Sequence, residues 1–86
     1  MVNLKTILIT GANRGIGFEL VKESIAKSFS VIGTYRNKHK SKELFKIKSD
    51  IVKLYEMDVV DEKSILNVSN QITQPVDYLI CNAGIN

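Results

Sequence analysis

The chain has 86 residues and a formal net charge of +3, with 44% hydrophobic and 24% charged residues. This composition is typical of a globular protein, and the length allows one small domain with a modest core. No apolar run approaches the ~20 residues of a membrane-spanning helix, and the first residues do not resemble a signal peptide. One cysteine cannot form an internal disulfide, so we expect a cytoplasmic protein with no membrane partner.

Strand-like and helix-like segments alternate along the chain. The predicted strands are Thr6–Thr10, Val31–Tyr35, Ile51–Met57 and Val76–Cys81. The predicted helices are Gly15–Lys27, Lys42–Lys48 and one that begins after the N-cap Asp61 and ends before Pro75. The predicted buried face of that third helix consists of Ile65, Leu66, Val68 and Ile72. Such alternation indicates an α/β fold, a parallel sheet with helices on both faces.

The turn after the first strand contains three glycines, Gly11, Gly15 and Gly17, spaced Gly-x-x-x-Gly-x-Gly. Glycine lets the backbone turn sharply and leaves no Cβ to obstruct a pyrophosphate. The helix that follows directs its free N–H groups and its positive dipole end at the same place. A short apolar strand, a glycine turn and a helix in this order predict a dinucleotide site, and they favour a doubly wound sheet with strand order 3-2-1-4.

Three stretches carry a resemblance to a known family. They are TGANRGIG at residues 10–17, Asp58-Val59, and Asn82-Ala83-Gly84-Ile85. In this order and near these separations they resemble the short-chain dehydrogenases/reductases, of the small carbonyl-reductase kind. The resemblance covers the whole chain but only about the first third of a family member. It implies that residues 1–86 form part of a Rossmann-type dinucleotide-binding domain, truncated after the fourth strand.

The resemblance also implies roles for individual residues. Gly11 makes the turn, Gly15 and the Ile16 backbone face the pyrophosphate, and Gly17 lets the helix approach the sheet. The Asp58 carboxylate accepts from the adenine amino group, beside the Val59 backbone N–H. The small residues after the fourth strand leave room for a ribose, while Asn82 holds neighbouring strands together. The cofactor-binding residues implied in this way are Gly11, Asn13, Arg14, Gly15, Ile16, Gly17, Arg36, Asp58, Val59, Asn82, Ala83 and Gly84.

The end of the second strand bears on which dinucleotide binds. An NAD-specific site has Asp or Glu there to accept from the ribose 2′-hydroxyl, whereas this chain reads Gly33-Thr34-Tyr35-Arg36-Asn37, with no carboxylate. A guanidinium binds a 2′-phosphate in a fork and stacks on adenine. Arg14 lies on the same side in the family's arrangement. We therefore predict NADP in preference to NAD.

The resemblance implies reversible hydride transfer between the nicotinamide and a carbonyl or alcohol. The family's catalytic groups are a Tyr-x-x-x-Lys pair and a Ser, all beyond the fourth strand. None of Tyr35, Tyr55 and Tyr78 is followed by Lys four residues later. We therefore predict that residues 1–86 contain no catalytic residue. We expect this polypeptide to bind NADP without hydride-transfer activity.

Two other classes of function stay open. One is a non-catalytic nucleotide-binding or interaction module that uses the same glycine turn. The other is a phosphoacceptor domain with Asp58 at a strand end, although the acidic pair that would hold Mg²⁺ is replaced by Thr10-Gly11-Ala12. In the basic segment 36–48 we find no nucleic-acid motif and interpret it as a solvated rim of the cofactor site.

Three features outside the predicted cofactor site carry expectations of their own. His39 has no second ligand nearby, so no metal site is predicted. Cys81 is expected to be a small buried hydrophobic residue rather than a nucleophile. The fourth strand leaves an open apolar edge, which predicts self-association.

Overall fold

A computed structural model describes residues 4–13 and 15–82 of the chain. The strands are β1 (Thr6–Ile9), β2 (Ser30–Tyr35), β3 (Val52–Glu56) and β4 (Tyr78–Ile80). The helices are α1 (Gly15–Ala26), α2 (Lys42–Lys46) and α3 (Glu62–Gln71), with a short 3-10 turn at Lys38–Lys40. All elements predicted from the sequence are present, with ends that coincide with the predicted ones or differ from them by up to three residues.

The four strands form one parallel sheet in the order β3-β2-β1-β4. This confirms the predicted fold class and strand order. The chain moves outward from β1 through β2 to β3 and then crosses back to β4. Because parallel crossovers are right-handed, α1 and α2 cover one face and α3 covers the other. The carboxyl ends of all four strands therefore lie along one edge of the sheet.

The core lies between the sheet and the helices α1 and α2. Ile9, Val31 and Val52 from three neighbouring strands are buried, together with Val21 of α1 and Leu44 of α2. β-branched side chains pack well on a pleated surface, which explains why these short runs form strands.

The predicted buried face of α3 is only partly correct. Val68 is buried and Ile72 half-buried, but Leu66 is 62% exposed and Ile65 39% exposed. A helical apolar stripe is buried only where another element covers it. Among the described residues, nothing covers the Leu66 side of the helix.

The expectation that Cys81 is buried was wrong, because its side chain is exposed. Cys81 follows β4, and β4 is an edge strand whose only described neighbour is β1. The residues of the edge share this exposure, with Tyr78 at 47% and Leu79 at 61%.

The start of α3 follows the sequence prediction. The Asp61 backbone is extended, and its Oδ1 accepts from the Lys63 N–H at 3.0 Å. A carboxylate in this position satisfies a helix N–H group that has no partner within the helix. The predicted N-cap is therefore confirmed, and it fixes the first turn of α3 close to the carboxyl end of β3.

Candidate functional site

The glycine turn and the end of β4 are joined where the strand order reverses between β1 and β4. The Asn82 N–H donates to Thr10 Oγ1 at 3.0 Å, and Asn82 Nδ2 donates to the Gly11 carbonyl at 3.2 Å. The Thr10 N–H donates to the Ile80 carbonyl at 3.1 Å. These bonds connect segments about 70 residues apart in sequence, so Asn82 does hold the two neighbouring strands together.

Gly17 stands where only glycine fits. A Cβ at this position would meet the Gly11 carbonyl oxygen, and it would lie 2.5 Å from Asn82 Nδ2. Both groups are held by the hydrogen bond between them. The missing side chain therefore lets α1 approach the ends of β1 and β4, which is the role that the family resemblance implies for Gly17.

The turn opens onto the N-terminus of α1. Gly11 has φ +62° and Gly15 has φ +55°, in the left-handed region that favours glycine. Apart from its own chain neighbours and the backbone of α1, no described residue lies within 4 Å of the position that a Cβ on Gly15 would occupy. The first turn of α1 has no acidic residue, and Ile16 is 72% exposed. An anionic phosphate fits this open cradle because free N–H groups and the helix dipole face it without a competing carboxylate.

Gly33 is a residue of the site that the sequence reading did not assign. The Ala12 N–H donates to the Thr34 carbonyl at 2.8 Å, which lays the glycine turn across β2. A Cβ on Gly33 would lie 3.1 Å from Ala12 Cβ and 3.2 Å from Leu54 Cδ2. A glycine inside a β-branched strand was the available signal, because it often marks a close backbone approach.

A second part of the site is a recess of about 690 Å³ beyond the ends of β2 and β3. It brings together two predicted site residues, Arg36 and Asp58, that are 22 positions apart. The Asp58 N–H donates to Ser64 Oγ at 2.9 Å, which ties the end of β3 to α3. The residues lining the recess are Arg36, Glu56, Asp58, Asp61, Lys63, Ser64 and Asn67.

The α3 contribution to this recess was missed by the sequence reading. Lys63 and Asn67 are four residues apart on the helix, so they lie on one face of it. Their polar side chains alone carry no signal, because most exposed helix faces are polar. Only the crossover that places α3 beside the end of β3 makes them part of the site.

The structure describes only some of the remaining predicted site residues. Asn13 and Val59 are half-buried and lie in the turns that follow β1 and β3 respectively. Arg14, Ala83 and Gly84 lie outside the described residues, so their predicted roles stay predictions.

Tyr35, directly before Arg36, has a perturbed phenol. Burial raises its pKa above the ordinary value of 10.0, and the neighbouring Glu56 carboxylate raises it further. Tyr35 and Glu56 are paired in the register of β2 and β3. The Tyr35 ring packs edge-to-face on Phe45, with ring centroids 5.1 Å apart. The side chain is therefore neutral at physiological pH and packed against α2.

Within residues 4–13 and 15–82, no three His, Cys, Asp or Glu side chains are grouped as a metal site. In the same part of the chain, no helix has both the length and the apolar character needed to cross a membrane.

The doubly wound parallel sheet, with a glycine turn at the point where the strand order reverses, defines a Rossmann-type α/β domain. Residues 5–86 match the family model described as short chain dehydrogenase. The chain belongs to the short-chain dehydrogenase/reductase family.

Relatives agree in sequence and in structure. The (+)-neomenthol dehydrogenase of Arabidopsis thaliana is 32% identical over 88 residues, which cover 91% of this chain and 30% of the relative. A solved structure described as the candidate carbonyl reductase Sniffer of Caenorhabditis elegans superposes with a TM-score of 0.87 at 31% identity, over 98% of this chain and 39% of that one. A candidate short-chain dehydrogenase/reductase from Burkholderia multivorans, solved with bound NADP, gives a TM-score of 0.84 at 26% identity over 95% and 37% of the two chains. The chain thus spans about a third of the length of the relatives it matches.

Proposed function

We propose that this chain binds NADP(H) and forms the cofactor-binding part of an oxidoreductase that transfers hydride to or from a carbonyl or alcohol. The observation that carries the proposal is the cradle of the glycine turn, where two residues with positive φ open onto the acid-free first turn of α1. A pyrophosphate is the ligand that such a cradle fits best.

In this proposal the two parts of the site hold the two ends of the adenosine half. The backbone at Gly15 and Ile16 binds the pyrophosphate, together with Asn13 and the Gly11 turn. Asp58 and Val59 bind the adenine, and Arg36 binds the 2′-phosphate. Ala83 and Gly84 accommodate a ribose beside Asn82. The recess supports this assignment of the adenine, because Arg36 from the end of β2 and Asp58 from the end of β3 line the same cavity.

The preference for NADP over NAD is also a proposal. Arg36 is exposed, and among the described residues it forms no ion pair within 4.0 Å. Its guanidinium is therefore available to a phosphate. The relative from Burkholderia multivorans was solved with NADP, which supports the proposal from outside this chain.

The nicotinamide of the cofactor would supply the hydride chemistry. Within these 86 residues no Tyr is followed four positions later by Lys, so the family's proton-transferring pair is not among them. We infer that the 86-residue polypeptide by itself binds the cofactor without turning it over. A cytoplasmic location remains part of the proposal, supported by the single cysteine.

The first test is a titration of the purified chain with NADPH and NADH, followed by fluorescence and by thermal denaturation. A ligand that binds only the folded state raises the melting temperature according to its affinity. We expect stabilisation by NADPH at concentrations where NADH has a much smaller effect. Absence of binding by a folded chain, established by circular dichroism, would contradict the proposal.

A second proposal concerns self-association through the edge strand β4. Leu79 is 61% exposed and Tyr78 47% exposed, whereas the opposite edge strand, β3, presents the exposed charges of Lys53 and Glu56. Charged residues protect an edge from pairing, and an apolar edge is open to it. The edge at β4 is therefore where a second copy of the 86-residue polypeptide would pair.

A further inference from the structure

The recess beyond β2 and β3 contains a second cation that has no role in the assignments above. Lys63 lines it from the first turn of α3, while Arg36 lines it from the end of β2. The ion pairs of the described residues join lysines and glutamates within α1, its C-terminal turn and α2, and none includes Lys63 or Arg36. Two unpaired cations therefore reach one cavity from different elements.

Two of the carboxylates in the recess are engaged by backbone N–H groups. Asp58 Oδ1 accepts from the Val60 N–H at 3.1 Å, and Asp61 Oδ1 accepts from the Lys63 N–H at 3.0 Å. Part of their negative charge is thus directed at the backbone of the turn into α3. The third carboxylate, Glu56, is paired in register with Tyr35 and acts on that phenol. Neither cation forms an ion pair within 4.0 Å with these acids, although all five groups line the same cavity.

The position of Lys63 within α3 is also unusual for its charge. It lies in the first helical turn, where the helix dipole disfavours a cation and favours an anion. The Asp61 cap fixes the backbone of this turn, so the base of the lysine side chain is held at the recess. A bound anion would compensate the unfavourable pairing of a lysine with a helix N-terminus.

We propose that Lys63 is a second phosphate-binding residue of the recess, which contacts the 2′-phosphate of NADP(H) from the α3 side while Arg36 contacts it from β2. This inference rests on the proposed function, because it assumes that the recess holds the adenosine half of the cofactor. Lys63 thereby contributes to specificity for NADP over NAD.

The test uses two fragments of the cofactor that differ only at the ribose, 2′,5′-ADP and 5′-AMP. Their dissociation constants are measured for the 86-residue chain and for the variants Lys63→Gln, Lys63→Arg and Lys5→Gln. Lys5 is exposed, lies outside both the recess and the basic segment 36–48, and forms no ion pair with the described residues, so it controls for net charge. Loss of a charge-assisted hydrogen bond to a phosphate predicts about tenfold weaker 2′,5′-ADP binding by Lys63→Gln. We expect 5′-AMP binding to stay unchanged, Lys63→Arg to keep the preference, and Lys5→Gln to behave like the unmodified chain.

The outcomes separate the two proposals. If the unmodified chain prefers 2′,5′-ADP and Lys63→Gln keeps that preference in full, the role of Lys63 is overturned and the proposed function stands. If Lys63→Gln weakens both fragments equally, Lys63 does not contact the 2′-phosphate. If the folded, unmodified chain binds neither fragment and neither NADPH nor NADH, the proposed function fails and this inference fails with it.

Discussion

At the scale of single residues, the site is built from groups whose small size or hydrogen-bonding geometry leaves little freedom. Gly17 has no room for a methyl group, and Asn82 uses both its backbone and its side chain to hold the glycine turn. These contacts explain why residues from the two ends of the chain occur together at this junction.

Replacement of Gly17 by Ala should destabilise the chain by about 1–3 kcal/mol, because the new methyl group would force apart Gly11 and Asn82. Gly15→Ala is the comparison, since no described residue beyond its chain neighbours and the backbone of α1 lies within 4 Å of its Cβ position. There the positive φ alone should cost about 1 kcal/mol. Urea denaturation measures both free energies of unfolding, and an equal cost for the two variants would contradict the packing argument.

Replacement of Arg36 by Asp should weaken NADPH binding much more than NADH binding. A carboxylate repels a 2′-phosphate and accepts from a 2′-hydroxyl, so the preference should move towards NADH. Calorimetric titration with both cofactors measures the effect, and Lys5→Asp makes the same change of charge outside the recess and outside the basic segment 36–48. If Arg36→Asp weakens the binding of NADPH and NADH equally, Arg36 does not contact the 2′-phosphate.

Because the pKa of Tyr35 is raised in the folded chain, the free energy of unfolding should fall at alkaline pH. The unfolded phenol ionises near 10.0, whereas the folded one keeps its proton to higher pH because it is buried and faces Glu56. Its contribution to stability is therefore present below pH ~10 and is lost as the pH rises through the folded pKa. We expect Tyr35→Phe to lose less stability than the unmodified chain between about pH 9 and 11. Urea denaturation across this range tests it, and parallel pH profiles would contradict the prediction.

At the scale of elements, the segment from Arg36 to Lys48 concentrates positive charge beside the recess. Six of the chain's 12 Lys and Arg lie in it, all exposed, against one acid, Glu43. Glu43 pairs with Lys46 at 3.0 Å on α2. The segment begins with Arg36, directly after β2 at the recess, so its charge acts on any anion that approaches.

A dinucleotide should therefore associate faster at low salt than at high salt. Steering by clustered charges raises association rates by about 10-fold or more and is screened beyond ~10 Å at 0.1 M salt. The triple variant Lys40→Gln, Lys42→Gln and Lys48→Gln should slow NADPH association in stopped-flow measurements and leave dissociation nearly unchanged. The control neutralises Lys5, Lys22 and Lys27, for the same net charge elsewhere. The steering role is wrong if the two triple variants associate at the same rate.

At the scale of the whole molecule, the sheet has one protected edge and one open edge. β3 presents charged side chains, while β4 exposes Tyr78 and Leu79 and pairs only with β1 among the described strands. The reciprocal bonds between Thr6 and Asp77, at 2.8 and 2.9 Å, hold the start of β4 against β1. The edge is therefore ordered and apolar, which is the combination that permits pairing.

Self-association of the 86-residue polypeptide should depend on this edge. Leu79→Lys should shift sedimentation velocity profiles towards the monomer, because a lysine at an edge opposes strand pairing. Leu66→Lys, on the exposed side of α3, is a matched change of an exposed apolar residue. If both variants reduce association equally, the effect comes from general surface hydrophobicity and not from the strand edge.

The order of the elements, the parallel sheet and the glycine turn were determined by the sequence alone. Hydrophobic periodicity and turn chemistry depend on local sequence, and the handedness of crossover connections follows a general rule. The same rules brought Arg36 and Asp58 to one edge of the sheet. They could not show that Leu66 and Cys81 are exposed, since burial depends on which other element covers a side chain. Gly33 carried only the general signal of a glycine within a strand, and Lys63 and Asn67 carried none, because their part in the site depends on backbone approach and helix placement. Those features were decided only by tertiary structure, because contacts between distant segments follow from how the whole sheet and its helices pack.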